Sequence, residues 1–170
     1  MTTLNLYDIT VPIFIQSLTT LDAQLTKAEE WAKENNVPLE ELTSARLHPD
    51  MHPLLFQVTT ASNTAKKSVT RITGTELATF EDNEKTFPEL HERIAKTIAL
   101  LKDVKREYFE GKEDADVLLK TGGHEVMFKG LRFAQFFALP NFFFHIVTAY
   151  DILRNKGVPV GKLDFLGKPT

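Results

Sequence analysis

Asn141 and His145 are the two residues of this chain best placed to do chemistry together. They lie four residues apart, so a helix would place both side chains on one face. No Asp, Glu, Lys or Arg occurs between Phe133 and Tyr150, so that face is otherwise apolar. Polar groups in apolar surroundings need hydrogen-bond partners. The pair therefore predicts either a contact that locks the core or the floor of a ligand site.

His145 is the residue of this pair with the wider chemistry. An imidazole can act as a general acid or base, as a metal ligand or as a hydrogen-bonding group for a ligand. A core histidine bonded to a neighbouring side chain is the structural alternative, with about equal weight. Thr148 continues the same helical face, and Phe144 precedes His145 directly.

Gln57 is the predicted partner of this face from another helix. Helical spacing places it beside Leu54 and Ala61, at the edge of an apolar stripe, so its amide can face inward. We therefore interpret five residues as a ligand-binding set, in which His145 is the candidate catalytic acid or base: Gln57, Asn141, Phe144, His145 and Thr148.

His48 and His52 are also spaced four apart, as in a helical metal pair. Pro49 and Pro53 interrupt them, and Pro49 disfavours helix at His48, so a loop pair is the preferred interpretation. A metal site usually needs three or four fitting ligands, and amides bind zinc or nickel weakly. We expect no metal cofactor. A divalent metal at His145, His48 and His52 is the alternative.

The composition predicts a soluble protein with one domain over residues 1–170. Hydrophobic residues make up 42% and the net charge is −3, which argues against nucleic-acid binding. The chain has no cysteine, and its first residues lack the basic start of a secretory signal, so we expect a cytoplasmic protein.

Residues 133–150 have the length of a short membrane span, but their polar residues favour a buried helix, so no membrane partner is expected. Lys66, Lys67 and Arg71 are interpreted as a solvated helix face.

Apolar spacing predicts four helices. The first carries a stripe from Phe14 to Ala32, and the second a stripe from Leu54 to Ile72 that ends at Gly74. The third begins with a Thr86–Glu89 capping box and runs to Tyr108. The fourth runs from about Pro140 to Asn155, with a break at Pro140.

A β-hairpin is predicted between the third and fourth helices. Two short apolar runs, Val117–Leu119 and Val126–Phe128, flank the Gly122-Gly123 pair. An isolated two-stranded ribbon is only marginally stable, so this one should pack on the helices. The fold class is thus all-α, a four-helix bundle with one small hairpin.

Five sequence blocks carry a family resemblance: residues 6–12, 46–47 with 49–51, 80–84, 140–145, and 157–162 with 164–167. They resemble an uncharacterised family, domain of unknown function nineteen ninety-three, in the DinB/YfiT-like superfamily. The resemblance covers essentially the whole chain. The resemblance implies an up-down-down-up four-helix bundle, often dimeric.

The resemblance also implies where a metal would lie. Many members of the superfamily hold a divalent metal with three histidines, and some are transferases or isomerases that use low-molecular-weight thiols. Aligning the helices by their terminal glycines places Gln57, Asn141 and His145 at those three positions. One histidine of three is kept.

Three functions follow from these observations. The first is a metal-free pocket for a small organic molecule, with His145 as the acid or base of an isomerase, lyase or transferase. The second is a metal-dependent thiol S-transferase. The third is a non-catalytic bundle that forms a homodimer or binds a partner, in which the polar trio only locks helix register.

Overall fold

The computed structural model describes residues 4–167, and most of these residues are helical. The helices are α1 (Val11–Glu34), α2 (Leu39–Thr43), α3 (Leu54–Thr73), α4 (Phe87–Lys102), α5 (Gly130–Phe133), α6 (Leu139–Asn155) and α7 (Lys162–Leu166). A 3₁₀ turn spans Arg106–Phe109, a π-helical turn spans Ala134–Ala138, and the strands are β1 (Asp116–Thr121) and β2 (His124–Lys129).

The long helices α1, α3, α4 and α6 pack around a common apolar core. Helix α1 packs against α4 and α6, and α3 packs against the same two helices. The predicted stripes of the first two helices are buried along their whole length, from Phe14 to Ala32 and from Leu54 to Ile72. Burial of such stripes is the main driving force for helix packing, at about 25 cal/mol per Å² of apolar surface.

Two predicted helix ends are confirmed. Gly74 follows α3 with a φ of 79°, the left-handed conformation that glycine adopts without strain. At the start of α4, the Thr86 backbone N–H donates to Glu89 Oε2 at 2.9 Å, one half of a capping box.

The prediction that the third helix reaches Tyr108 is wrong. Helix α4 ends at Lys102, and Tyr108 lies in the separate 3₁₀ turn and is exposed. The chain turns after Asp103 so that Phe109, rather than Tyr108, enters the core. There its ring meets Tyr7 edge-on at 5.7 Å between centroids.

The predicted hairpin is present. Strands β1 and β2 pair antiparallel, and Gly122 and Gly123 turn the chain with φ values of 55° and 79°. Val117 and Leu119 of β1 are buried, which attaches the ribbon to the helical core as expected. Gly130 follows β2 where a Cβ would come within 2.0 Å of the Lys112 backbone oxygen, so the close approach requires glycine.

The predicted break at Pro140 is wrong, because helix continues from Gly130 to Asn155. The π-helical turn lies just before Pro140, and the Leu139 N–H donates to the Ala134 carbonyl five residues back. This wider turn accommodates a proline, which lacks an N–H, without ending the helix. By length and composition the 26-residue helix passes as a membrane span. Core helices of soluble proteins pass the same test, and α6 packs against α1 and α3.

Candidate functional site

Helices α3 and α6 bring Gln57 and His145 into direct contact. The distance from His145 Nδ1 to Gln57 Oε1 is 2.8 Å, and both side chains are buried. Gln57 lies on the first turn of α3, and its Nε2 donates to the His52 backbone carbonyl at 2.9 Å. The predicted inward orientation of Gln57 and its pairing with His145 are therefore both seen.

This pair of bonds determines which nitrogen of His145 carries the proton. The amide nitrogen of Gln57 must face the His52 carbonyl, because two oxygens there would repel each other. Gln57 Oε1 then faces His145 and can only accept, so Nδ1 carries the hydrogen. The lone pair of the neutral ring is consequently on Nε2, which has no hydrogen-bond partner among residues 4–167.

Aromatic side chains surround the imidazole. Phe144 meets it edge-on at 5.3 Å between centroids and Phe56 at 6.0 Å, while the exposed His52 ring stacks on Phe56 at 3.8 Å. Burial, together with the nearby His52, lowers the pKa of His145 below its ordinary value. His145 is thus expected to be neutral near pH 7. The rings around it, those of Phe56, Phe144 and His52, are exposed to solvent.

The remaining predicted site residues do not join the Gln57–His145 contact. Asn141 Nδ2 donates to Thr64 Oγ1 at 3.0 Å, further along α3. The Thr148 hydroxyl donates to the Phe144 carbonyl of its own helix at 2.6 Å. Phe144 itself is largely exposed, so it borders the imidazole from the solvent side rather than forming an inner wall. The expectation that three polar side chains meet at one point is wrong in that respect.

Five cavities of the described chain lie away from this contact. None of these five includes Gln57, Asn141 or His145 in its lining. One cavity, of about 280 Å³, is bordered by His52 and Phe56 and so lies next to the aromatic surroundings of His145. The Gln57–His145 pair is itself buried and does not line any of these five cavities.

The donor set does not fit a three-histidine metal site. Within residues 4–167 no group of three or more His, Asp or Glu side chains is arranged to hold a metal ion. His48 is exposed and bonds to Asp50 in the loop before α3. The His52 ring stacks on the Phe56 ring. Gln57 and Asn141 offer carboxamides rather than imidazoles, and the Asn141 amide is bonded to Thr64.

Sequence reasoning missed the surroundings of three charged or titratable residues, of which two are buried and one is half-buried. Arg93 is fully buried and bonds to several groups of the segment between α3 and α4. Lys66 is buried rather than solvated, with its ammonium 3.4 Å from the centre of the Phe80 ring. His91 is half-buried, and its ring nitrogens lie 2.6 Å from Asp22 Oδ1 and 2.9 Å from Glu29 Oε2 of α1. Of the three, only Arg93 could have been recognised in the sequence. It is a charged residue at a position where helical spacing places it on the buried face with Leu90, Thr97 and Leu101.

The pKa values of His91 and His145 are expected to depart from the ordinary value in opposite directions. Burial disfavours the charged form of His91, but hydrogen bonds to Asp22 and Glu29 outweigh it and raise the pKa. His145 faces a neutral amide and has a lowered pKa. An NMR titration of the imidazole signals checks this order. Gln57→Glu should raise the pKa of His145 by about one unit or more, whereas the uncharged Gln57→Leu should not.

These pKa directions have opposite consequences for stability. His91 binds its proton more tightly in the folded state, so its contribution is present at low pH and lost as pH rises through the raised pKa. His145 binds its proton more tightly in the unfolded state, so its contribution falls as pH decreases below the unfolded pKa. A titration that placed His145 above His91 would contradict the hydrogen-bond assignment.

Comparison with known proteins first defines the class. A solved structure, a DinB family member protein from Shewanella denitrificans, superimposes with a TM-score of 0.87 at 38% sequence identity. The match covers 96% of this chain and 93% of that chain. No curated protein matches the chain.

The family follows from the family models. The model described as domain of unknown function DUF1993 matches residues 6–166. The chain therefore belongs to this uncharacterised, DinB-like family, as the sequence blocks had indicated.

Proposed function

We propose that this protein binds a small organic molecule at the surface between α3 and α6, where His145 Nε2 is the principal polar contact. The observation that carries the proposal is the Gln57–His145 bond of 2.8 Å, which leaves the lone pair of a neutral imidazole free. We further propose that α1, α3, α4 and α6 form the up-down-down-up bundle of DinB proteins. The DinB family name of the solved relative supports that arrangement.

The geometry supports a specific role for each residue. Gln57 holds the imidazole in one tautomer, and the lowered pKa of His145 keeps Nε2 unprotonated near neutral pH. Such a nitrogen can accept a hydrogen bond from a ligand or take a proton from an acidic C–H or O–H group. The rings of Phe56 and Phe144 offer an apolar surface to the rest of the molecule.

If the protein is an enzyme, its chemistry is of a kind that needs one base. Isomerisation, elimination and group transfer can each proceed through a proton abstraction of the kind that His145 can perform, with the proton passing to Nε2. The resulting imidazolium would keep donating from Nδ1 to Gln57. No metal step enters this proposal, because the donors around His145 do not fit the metal site of the superfamily.

Ligand binding is expected to depend on both members of the pair. We expect a fragment screen by NMR to yield compounds whose affinity falls about tenfold or more in His145→Ala and in Gln57→Leu, since each change removes one buried hydrogen bond. His124→Ala is the matched control, because His124 is exposed at the hairpin turn. If every compound found binds equally well to His145→Ala and to the wild type, the proposal is wrong.

A partner-binding function is the second candidate, and one observation favours it. Phe136, Pro140, Phe144 and Val147 follow one another along one face of the helix that contains α6, and all four are exposed. Such a row of apolar side chains is typical of an interface. We propose a second copy of the chain as its occupant. A native mass spectrum of gently purified protein separates the two candidates: a dimer without ligand favours this one, and a monomer that carries a compound favours the first.

A further inference from the structure

A second cavity lies between α3 and the segment that follows it, away from the Gln57–His145 pair. Its volume is about 390 Å³. One wall is a single face of α3, with residues at helical spacing: Asn63, Lys66, Lys67, Thr70 and Arg71. The opposite wall is formed by residues 76–80 of the segment after α3, together with Asp82. Three cationic side chains therefore line one small space.

The cations of this cavity differ in how they are used. Lys66 is committed to the protein, since its Nζ donates to the Ala78 carbonyl at 3.0 Å and lies over the Phe80 ring. Lys67 and Arg71 make no hydrogen bond or ion pair with any residue from 4 to 167. Arg71 is nevertheless half-buried, and burial lowers its pKa from the ordinary value. A partly desolvated guanidinium with no anion beside it is costly.

The acidic groups of the cavity offset its cations only in part. Asp82 accepts hydrogen bonds from Asn63 Nδ2 at 2.9 Å and from Arg93 at 2.7 Å, and it attracts Lys66 and Lys67 without forming an ion pair with either. Glu76 is exposed and forms no ion pair with a described residue. The cavity therefore keeps a positive excess at Lys67 and Arg71. Burial of Lys66 lowers its pKa to about 8, a value at which this amine is still mostly protonated at neutral pH and adds to the excess.

The cavity also has an apolar side. Leu77 and Phe80 are partly buried and line the wall opposite α3, with Ala78 between them. A ligand that filled the space would place anionic oxygens near Arg71 and Lys67 and an apolar group near Leu77. Guanidinium groups bind carboxylate and phosphate oxygens in pairs, which gives such a contact both strength and direction.

We propose that this cavity is a binding site for a small organic anion, a carboxylate or phosphate ester with an apolar part. Arg71 and Lys67 hold the anionic oxygens, and Leu77 and Phe80 contact the apolar part. The cavity does not include His145, so this proposal can be tested separately from the function proposed above. It also assigns a role to Lys67 and Arg71, which sequence reasoning had interpreted as a solvated face.

The test uses phenyl phosphate as the probe and phenol as its uncharged counterpart. Isotope-labelled full-length protein is titrated with each, and backbone amide signals are followed by NMR. We expect phenyl phosphate to shift the signals of residues 66–71 and 76–82 with saturation, and phenol to shift them far less. An absence of shifts up to about 10 mM phenyl phosphate, where even weak sites respond, would overturn the proposal. Shifts centred on other elements, or equal shifts with phenol, would overturn it too.

Charge-removing variants complete the test. Arg71→Gln should weaken phenyl phosphate binding about tenfold, the equivalent of one charge-assisted hydrogen bond, and Lys67→Gln should weaken it by a smaller factor. Arg154→Gln, an exposed cation on α6 outside the cavity, is the matched control and should change nothing. Lys67 is exposed, so its variant remains informative if Arg71→Gln folds poorly. Unchanged affinity in both variants, with the spectrum of a folded protein, refutes the assignment.

Discussion

Replacing Arg93 with methionine is expected to lower the free energy of unfolding by about 3–5 kcal/mol, the usual cost of removing one partner from a buried charge network. The Arg93 side chain is 1% exposed, and all of its guanidinium nitrogens are engaged. Methionine preserves much of the volume and removes only the charge and the donors. Denaturant unfolding followed by circular dichroism measures the change.

The size of this effect follows from what Arg93 leaves behind. Its Nη1 donates to Glu84 Oε1 at 2.5 Å and to the Glu81 carbonyl at 3.0 Å, and its Nη2 donates to Asp82 Oδ1 at 2.7 Å. Glu84 is itself nearly buried, and its second oxygen has no partner in the described chain. Without the guanidinium, a carboxylate would remain desolvated beside an apolar core. The loss therefore exceeds that of an ordinary surface ion pair.

A matched control lies one turn further along the same helix. Lys96 pairs with Glu92 at 2.5 Å, but both side chains are more than half exposed. Lys96→Met should change the free energy of unfolding by no more than about 0.5 kcal/mol. If Arg93→Met and Lys96→Met had equal effects, the buried network would not be the anchor of the segment between α3 and α4. Faster hydrogen exchange of residues 81–84 in Arg93→Met would show directly that this segment is released.

The helical framework was predictable because it depends on local periodicity. The stripes from Phe14 to Ala32 and from Leu54 to Ile72 repeat at the spacing of a buried helix face, and both are buried. Gly74 and the Gly122-Gly123 pair marked a helix end and a hairpin turn, since each adopts positive φ there. The break predicted at Pro140 was wrong because a single proline in the sequence does not show whether the neighbouring helical turn widens to accommodate it.

The contact between Gln57 and His145 was predictable, whereas its surroundings were not. Both residues occupy core-facing positions on their helices, so the packing of α3 against α6 was enough to join them. The partner of Asn141 depends on the offset between these helices, which places Thr64 opposite it. Sequence spacing on one helix carries no information about such an offset.

The segment between α3 and α4 was the least predictable part that bears on function. It has no periodicity, and its position is set by contacts of Arg93 and Lys66 with groups more than ten residues away. The block at residues 80–84 was useful only for indicating the family. The sequence did not predict its physical role. In the structure the segment packs over α3 and α4 and forms one wall of the cationic cavity.

Phe142→Ala is expected to lower the free energy of unfolding by about 3–5 kcal/mol, because it leaves a large cavity in the core. Phe142 is 0% exposed, and its ring meets that of Phe14 at 4.7 Å between centroids, which joins α6 to α1. Phe144 supplies a control of the same residue type two positions later, with 56% of its surface exposed.

The contrast between the two phenylalanines tests the orientation of α6, on which the placement of His145 depends. At low protein concentration, Phe144→Ala should change the free energy of unfolding by about 0.5 kcal/mol or less, as for other surface positions. Comparable losses from the two substitutions would mean that α6 is rotated, and His145 could not then face Gln57. A loss in Phe144→Ala that grows with protein concentration would instead show that a second copy covers this ring, because association stabilises the folded state by mass action.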